Sequence, residues 1–146
     1  MKRLKYFIPS LILMIIIFSF SMQTGEESGG MSLNIVHMIQ KLFPFITNTD
    51  SLHIIIRKGA HMSEYALLAC TYAYGFYNNQ YRLDKVCLYS LSATFFYACT
   101  DELHQLFVGG RTGQFTDVLI DTTGGIIAII IIYIILRRKK HGLQDQ

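Results

Sequence analysis

The chain has 146 residues, 51% hydrophobic and 16% charged, with a mean hydropathy of +0.34 and a net charge of +3. Soluble domains carry about 25% charged residues, so the chain is too apolar for that class and for a disordered segment. Three cysteines cannot all pair, which excludes a disulfide-stapled secreted domain, and so small a net charge gives no case for nucleic-acid binding; a single-domain integral membrane protein is left.

A spanning helix needs ~20 mainly apolar residues. The first such stretch, residues 6–22, reads YFIPSLILMIIIFSFSM and carries no charge. Pro9 falls in its first turns, where a missing N–H is tolerated. Lys2, Arg3 and Lys5 ahead of it and Ser19-Phe20-Ser21 behind it also fit a signal peptide; the length of the apolar run favours a retained span.

A long polar connection follows, from Gln23 to Arg57. It opens with TGEESGG, which reads as a flexible stretch. Met31, Ile35, Met38 and Leu42 then recur at helical spacing and predict an amphipathic helix over residues 31–43. It either lies on the outer leaflet or packs across the bundle. Pro44 ends it, and Thr49 or Asp50 is expected to cap the next helix.

Three more spans are predicted at about 59–77, 86–107 and 117–136, with a short turn over 78–85 and a tail over 137–146. The last span finishes in IIAIIIIYIIL, which by composition could be a strand. Its length and the following RRKK favour a helix. Cys70, Cys87 and Cys99 all fall within spans and read as small packing residues.

With the N-terminus in the cytoplasm, Lys41, Arg57, Lys58 and Arg111 lie outside, and the other lysines and arginines lie inside. That bias sets the orientation. The expected fold is therefore all-α: a polytopic bundle of four transmembrane helices, plus an amphipathic interfacial helix in the first outer loop. It forms one domain over 1–146, in the bacterial cytoplasmic membrane, with both termini cytoplasmic.

Charged residues inside spans are costly, by ~2.5–3.5 kcal/mol each on insertion scales. Here they gather at one end of three spans. Arg57, His61 and Glu64 share one helix face, and Lys58, His61 and Tyr65 an overlapping one. Asp101, His104 and Gln105 form a second polar edge beside Glu102, and Asp117, Asp121 and Gly124 a third. At ~1.5 Å per residue, Asp101 lies roughly 8 Å below the outer surface of a ~30 Å core, so the three edges meet in one layer. Between the last two spans, Gly109-Gly110-Arg111-Thr112-Gly113 permits a turn that folds Arg111 back over the carboxylates. Gly124 and Ala128 give the fourth span a small face for close packing. If every acid is ionised the cluster keeps two surplus negative charges, which protonated histidines or acids, or a divalent cation, would balance.

The segments RKGAHMSEYALL (57–68) and YACTDELHQLFVGGRTGQFTDVLIDTTGG (97–125) resemble the VanZ-like family of small bacterial membrane proteins. The family pattern is K-x-x-H-x-x-E-Y in one span, then D-E-x-H-Q, an arginine, and spaced aspartates leading into a glycine. It is matched at Lys58, His61, Glu64 and Tyr65, and again at Asp101, Glu102, His104, Gln105, Arg111, Asp117, Asp121 and Gly124. The resemblance implies a cell-envelope protein; the family's founding member is linked to teicoplanin resistance, and no reaction is established for the family.

Three readings of the cluster stay open on the sequence. In the first, Arg57, Lys58, His61, Glu102, Gln105, Arg111, Asp117 and Asp121 bind an envelope lipid headgroup, a lipid-linked precursor or another cell-wall partner. Arginine is suited to hold phosphate in bidentate fashion. In the second, a membrane enzyme acts on a lipid-linked or phosphate-bearing substrate. Glu64, Asp101 and His104 are then the catalytic candidates, and His61, Glu64, Asp101 and His104 the candidate ligands of a divalent cation. In the third, ion pairs such as Lys58–Asp101 and Arg111–Glu64 only lock the bundle. A transporter is disfavoured, because the charges stop in the outer leaflet. His37 and His53 are expected at the surface, and Tyr65 and Tyr97 in packing. The sequence sets neither the oligomeric state nor the ligand.

Overall fold

The computed structural model describes residues 3–142, so Lys2 and residues 143–146 of the tail, with Asp145, lie outside the described residues. Those described form five α-helices and no strand: α1 (Ile8–Ser21, entered through a 3-10 turn over Leu4–Phe7), α2 (Gly25–Leu42), α3 (Thr49–Asn78), α4 (Leu83–Gln105) and α5 (Phe115–Gly142). The all-α expectation holds. Two segments, Leu4–Ser21 and Phe115–Lys139, are long and apolar enough to cross a membrane. The polar edges of α3 and α4 keep those two helices below that measure.

α3 is the centre of the bundle and packs most extensively on α5, then on α4. Its buried face is Tyr65, Leu68, Ala69 and Ala73, spaced as one helical stripe. The facing stripe of α4 is small and polar: Ser90, Thr94 and Ala98, then Asp101, Glu102 and Gln105. Small residues let helix backbones approach closely where lipid supplies no hydrophobic drive. On α5, Gly124 is buried so tightly that a Cβ there would stand 2.0 Å from the Met62 carbonyl oxygen. The outer faces carry large exposed apolar side chains, among them Ile12, Ile15 and Ile16 of α1 and Ile127, Ile130, Ile131 and Ile134 of α5. Exposed apolar side chains in such number mark an interaction surface.

α1 is tied to the rest by the Tyr97 hydroxyl, which donates to the Met14 carbonyl at 2.6 Å. The three cysteines are free and half-buried, as packing residues are.

The connection after α1 differs from the expectation. TGEESGG is not a flexible stretch; the helix already starts at Gly25. Thr24 and Glu27 close a capping box, in which the Glu27 backbone N–H donates to the Thr24 hydroxyl at 3.2 Å and the Thr24 backbone N–H donates to the Glu27 carboxylate at 2.9 Å. Two N-terminal donors are thereby satisfied, which outweighs the poor helix propensity of three glycines. The next helix is capped by Asn48, not by Thr49 or Asp50; its side chain accepts from the Ser51 N–H at 3.0 Å. α2 buries Val36 and turns Met31, Ile35, Met38 and Leu42 outward.

The capping box carries a pH prediction. Backbone and hydroxyl bonds from Thr24 hold the Glu27 carboxyl below its ordinary value of 4.5. Its folded value is depressed, so the contribution to the first turn is complete above 4.5 and is lost as pH falls through the folded value. Amide exchange in residues 25–30 should therefore accelerate, relative to the rest of α2, on acidification below that range. Thr24→Ala should show the fast exchange at neutral pH already.

Candidate functional site

The α1–α2 corner and the α4–α5 loop clasp each other. Gly110 adopts φ +73°, a left-handed conformation that glycine takes without penalty. Beside it the Gly25 N–H donates to the Gly109 carbonyl at 3.1 Å, and a Cβ on Gly25 would stand 1.9 Å from the Gly110 oxygen. Arg111 then reaches inward. Its Nε donates to the Gln23 carbonyl at 2.8 Å and its Nη2 to the Phe20 carbonyl at 3.0 Å. Phe20 is in the last turn of α1 and Gln23 lies just past its end, where a cation meets the negative end of the helix dipole. Burial and the neighbouring Arg57 push the guanidinium down from its usual range, and Asp101, Glu102 and Glu64 push it back up; it stays charged.

Arg111 therefore does fold back toward the acids, but it forms no salt bridge with Glu64. Lys58 pairs with Asp117 at 2.8 Å and not with Asp101. Both expected bundle-locking pairs are thus replaced: the loop geometry directs Arg111 to α1 carbonyls, and Asp117 opens α5 alongside Lys58.

The remaining acids enter the core without cations. Asp101 is buried and accepts from the Gln105 side chain at 3.2 Å through one oxygen, while the other is buried with no hydrogen-bond partner. Asp121 is 1% exposed, with neither oxygen hydrogen-bonded. The Tyr65 hydroxyl is buried close to both, without a hydrogen bond of regular geometry. Glu102 accepts from the Gln114 backbone N–H at 2.9 Å, which pins the start of α5 to the end of α4.

Two cavities open on either side of the Arg57–His61 edge of α3. One, of about 230 Å³, is amphipathic: Phe20, Met31 and Ile35 are at one side and Arg57, His61, Glu64 and Arg111 at the other. The second, of about 170 Å³, is more polar and is walled by His53, Arg57, Lys58, Thr112, Gln114 and Asp117. Arg57 and His61 belong to both. Among the described residues Arg57 makes no hydrogen bond and no ion pair, and His61 Nδ1 is buried without a partner.

The candidate residues are therefore only partly brought together. Of Glu64, Asp101 and His104, only Glu64 opens onto either cavity. His104 stacks on Phe18 with ring centroids 4.6 Å apart and its Nε2 buried without a partner. The motif histidine that lines the cavities is His61. Glu102 borders a third, apolar cavity with Cys99 and Leu106. Among the described residues no three His, Cys, Asp or Glu side chains are grouped to hold a metal ion, so His61, Glu64, Asp101 and His104 do not assemble as a ligand set. His53, expected at the surface, is half-buried and walls the polar cavity, with its Nε2 unpartnered. It sits at i−4 and i−8 from Arg57 and His61, and that helical spacing was the available signal. Thr112, Gln114 and the two carbonyls that hold Arg111 had none.

Residues 6–137 match the model of the VanZ/LLP1 family. The chain belongs to the VanZ/LLP1 family. No curated protein and no solved structure matches it. Family membership and the two apolar helices make it a membrane protein of the cell envelope. The family signature now has a spatial meaning: its α3 block supplies Lys58, His61 and Glu64 to the cavities, and its later block supplies the clasp, the buried acids and Asp117.

Proposed function

We propose that this VanZ/LLP1 protein crosses the bacterial cytoplasmic membrane four times, through α1, α3, α4 and α5, with both termini in the cytoplasm. In that membrane it binds the phosphate-bearing headgroup of an envelope lipid at the outer leaflet. At ~1.5 Å per residue, α3 and α4 reach roughly 45 and 35 Å, more than a ~30 Å core requires. α2 lies in the outer interface with its apolar stripe against lipid chains.

The observation that carries this reading is the amphipathic cavity, apolar toward Met31 and Ile35 and cationic toward Arg57 and Arg111. Arg111 is already engaged with backbone carbonyls. Among the described residues Arg57 has no hydrogen bond and no ion pair, so its whole guanidinium is free to take a phosphate with paired hydrogen bonds, beside the unpartnered Nη1 of Arg111. Binding an envelope lipid or a lipid-linked precursor changes what a glycopeptide meets outside the membrane. A contribution to teicoplanin resistance follows as the physiological consequence.

Arg57→Gln tests the reading. Losing one charge-assisted contact worth ~1.5–3 kcal/mol should weaken phosphatidic acid binding about 10- to 100-fold. Native mass spectrometry of the purified protein in detergent measures this. Equal binding by the variant would contradict the assignment.

A second reading has its own observation: His61 and Glu64 are one turn apart in the same cavity as the two arginines. In that reading an imidazole and a carboxylate move protons on the bound lipid while the guanidiniums steady negative charge. Release of a headgroup from labelled lipid, abolished in His61→Asn and Glu64→Gln at unchanged binding, would select it over simple binding.

A further inference from the structure

We infer that the polar cavity beyond Arg57 selects the lipid by its headgroup, and that it takes an uncharged polyhydroxyl group of about glycerol size. This rests on the lipid-binding reading above and adds the class of lipid. Arg57 and His61 wall both cavities. A phosphodiester held at Arg57 therefore has its chains on the Met31–Ile35 side and its second ester arm directed past Arg57 into the polar cavity.

The walls there define what the arm can be. Lys58 is neutralised by Asp117 at 2.8 Å, so neither offers a free charge. The remaining polar groups are hydrogen-bond donors and acceptors: the Thr112 hydroxyl and the Gln114 amide, which bond each other at 3.3 Å, with His61 and with His53, whose Nε2 has no partner among the described residues. They suit hydroxyl groups. An ammonium headgroup would find no unpaired carboxylate in this cavity to receive it, since Asp117 is already paired with Lys58, and so gains nothing to offset its desolvation. At ~30 Å³ for each water-sized group, about 170 Å³ has room for a glycerol.

The test compares lipids of identical chains on the purified full-length protein in detergent, by native mass spectrometry. Phosphatidylglycerol should bind about five-fold tighter than phosphatidic acid for each hydrogen bond the glycerol makes. Phosphatidylethanolamine should bind more weakly than both. Thr112→Val and His53→Phe should each reduce the phosphatidylglycerol preference while leaving phosphatidic acid binding in place. Equal binding of phosphatidylglycerol and phosphatidic acid by the wild type would overturn the headgroup pocket and leave the phosphate site standing. So would a preference that survives in both variants. Failure of every lipid to bind would overturn the underlying reading as well.

Discussion

Arg111→Ala is expected to cost about 3–5 kcal/mol, enough to lower the yield of folded protein sharply given a typical stability of ~5–15 kcal/mol. The guanidinium supplies two charge-assisted hydrogen bonds to the half-buried Phe20 and Gln23 carbonyls. Each is worth ~1.5–3 kcal/mol, and removing the donor also disturbs the electrostatic balance of Asp101, Glu102 and Glu64. Arg111→Lys should recover less than half of the loss, because a point ammonium cannot reproduce the planar fork that addresses two carbonyls. Thermal unfolding in detergent, followed by circular dichroism, gives the ranking wild type, Lys, Ala. If Lys matched the wild type, charge alone would matter and the clasp geometry would be irrelevant.

Gly124→Ala is expected to separate the two central helices. The new Cβ would stand 2.0 Å from the Met62 carbonyl oxygen and 2.9 Å from its carbon, both backbone atoms that cannot swing aside. Two effects oppose each other. Alanine gains ~1 kcal/mol in helix propensity, whereas overpacking of this kind costs ~1–3 kcal/mol and more when backbone must move. The clash is about 1 Å inside any ordinary contact, so the second effect wins, with a net loss of about 2 kcal/mol or more. Gly125→Ala is the control. Its Cβ would come closest to the Thr94 methyl at 3.0 Å, with Ala69 Cβ at 3.6 Å, both side-chain atoms and neither inside the range that forces backbone apart, so the substitution should cost far less than Gly124→Ala. The difference also has a functional reading. Displacing α5 from α3 also opens the polar cavity, which both helices line, so Gly124→Ala should weaken lipid binding where Gly125→Ala does not.

Much of this architecture was legible from periodicity. The helices of the bundle follow from apolar runs, and α5 follows from an isoleucine-rich stretch too long for a strand. The Gly124 packing face was visible in its spacing from Ala128. The polar layer was legible as a set of edges, but not as a set of pairings. Charge and spacing alone suggested Lys58–Asp101 and Arg111–Glu64. Which acid meets which base depends on helix rotation and on the loop, and neither is written in a heptad. Arg111 shows the point: its partners are two backbone carbonyls, which no side-chain pattern announces. The same holds for His104, whose place in the motif suggested chemistry and whose ring stacks on Phe18. The start of α2 does carry a sequence signal, the Thr24-x-x-Glu27 capping signature, but the glycines around it carry the opposite one, for a loop.

In the proposed arrangement lipid phosphate sits at Arg57 with its chains against α2. Photo-crosslinking with phosphatidic acid carrying a photoactivatable group near the top of one acyl chain measures this directly. Labels should concentrate on Met31 and Ile35 and be lost in Arg57→Gln. Labels spread over the outward faces of α1 and α5, equal in the wild type and the variant, would contradict it.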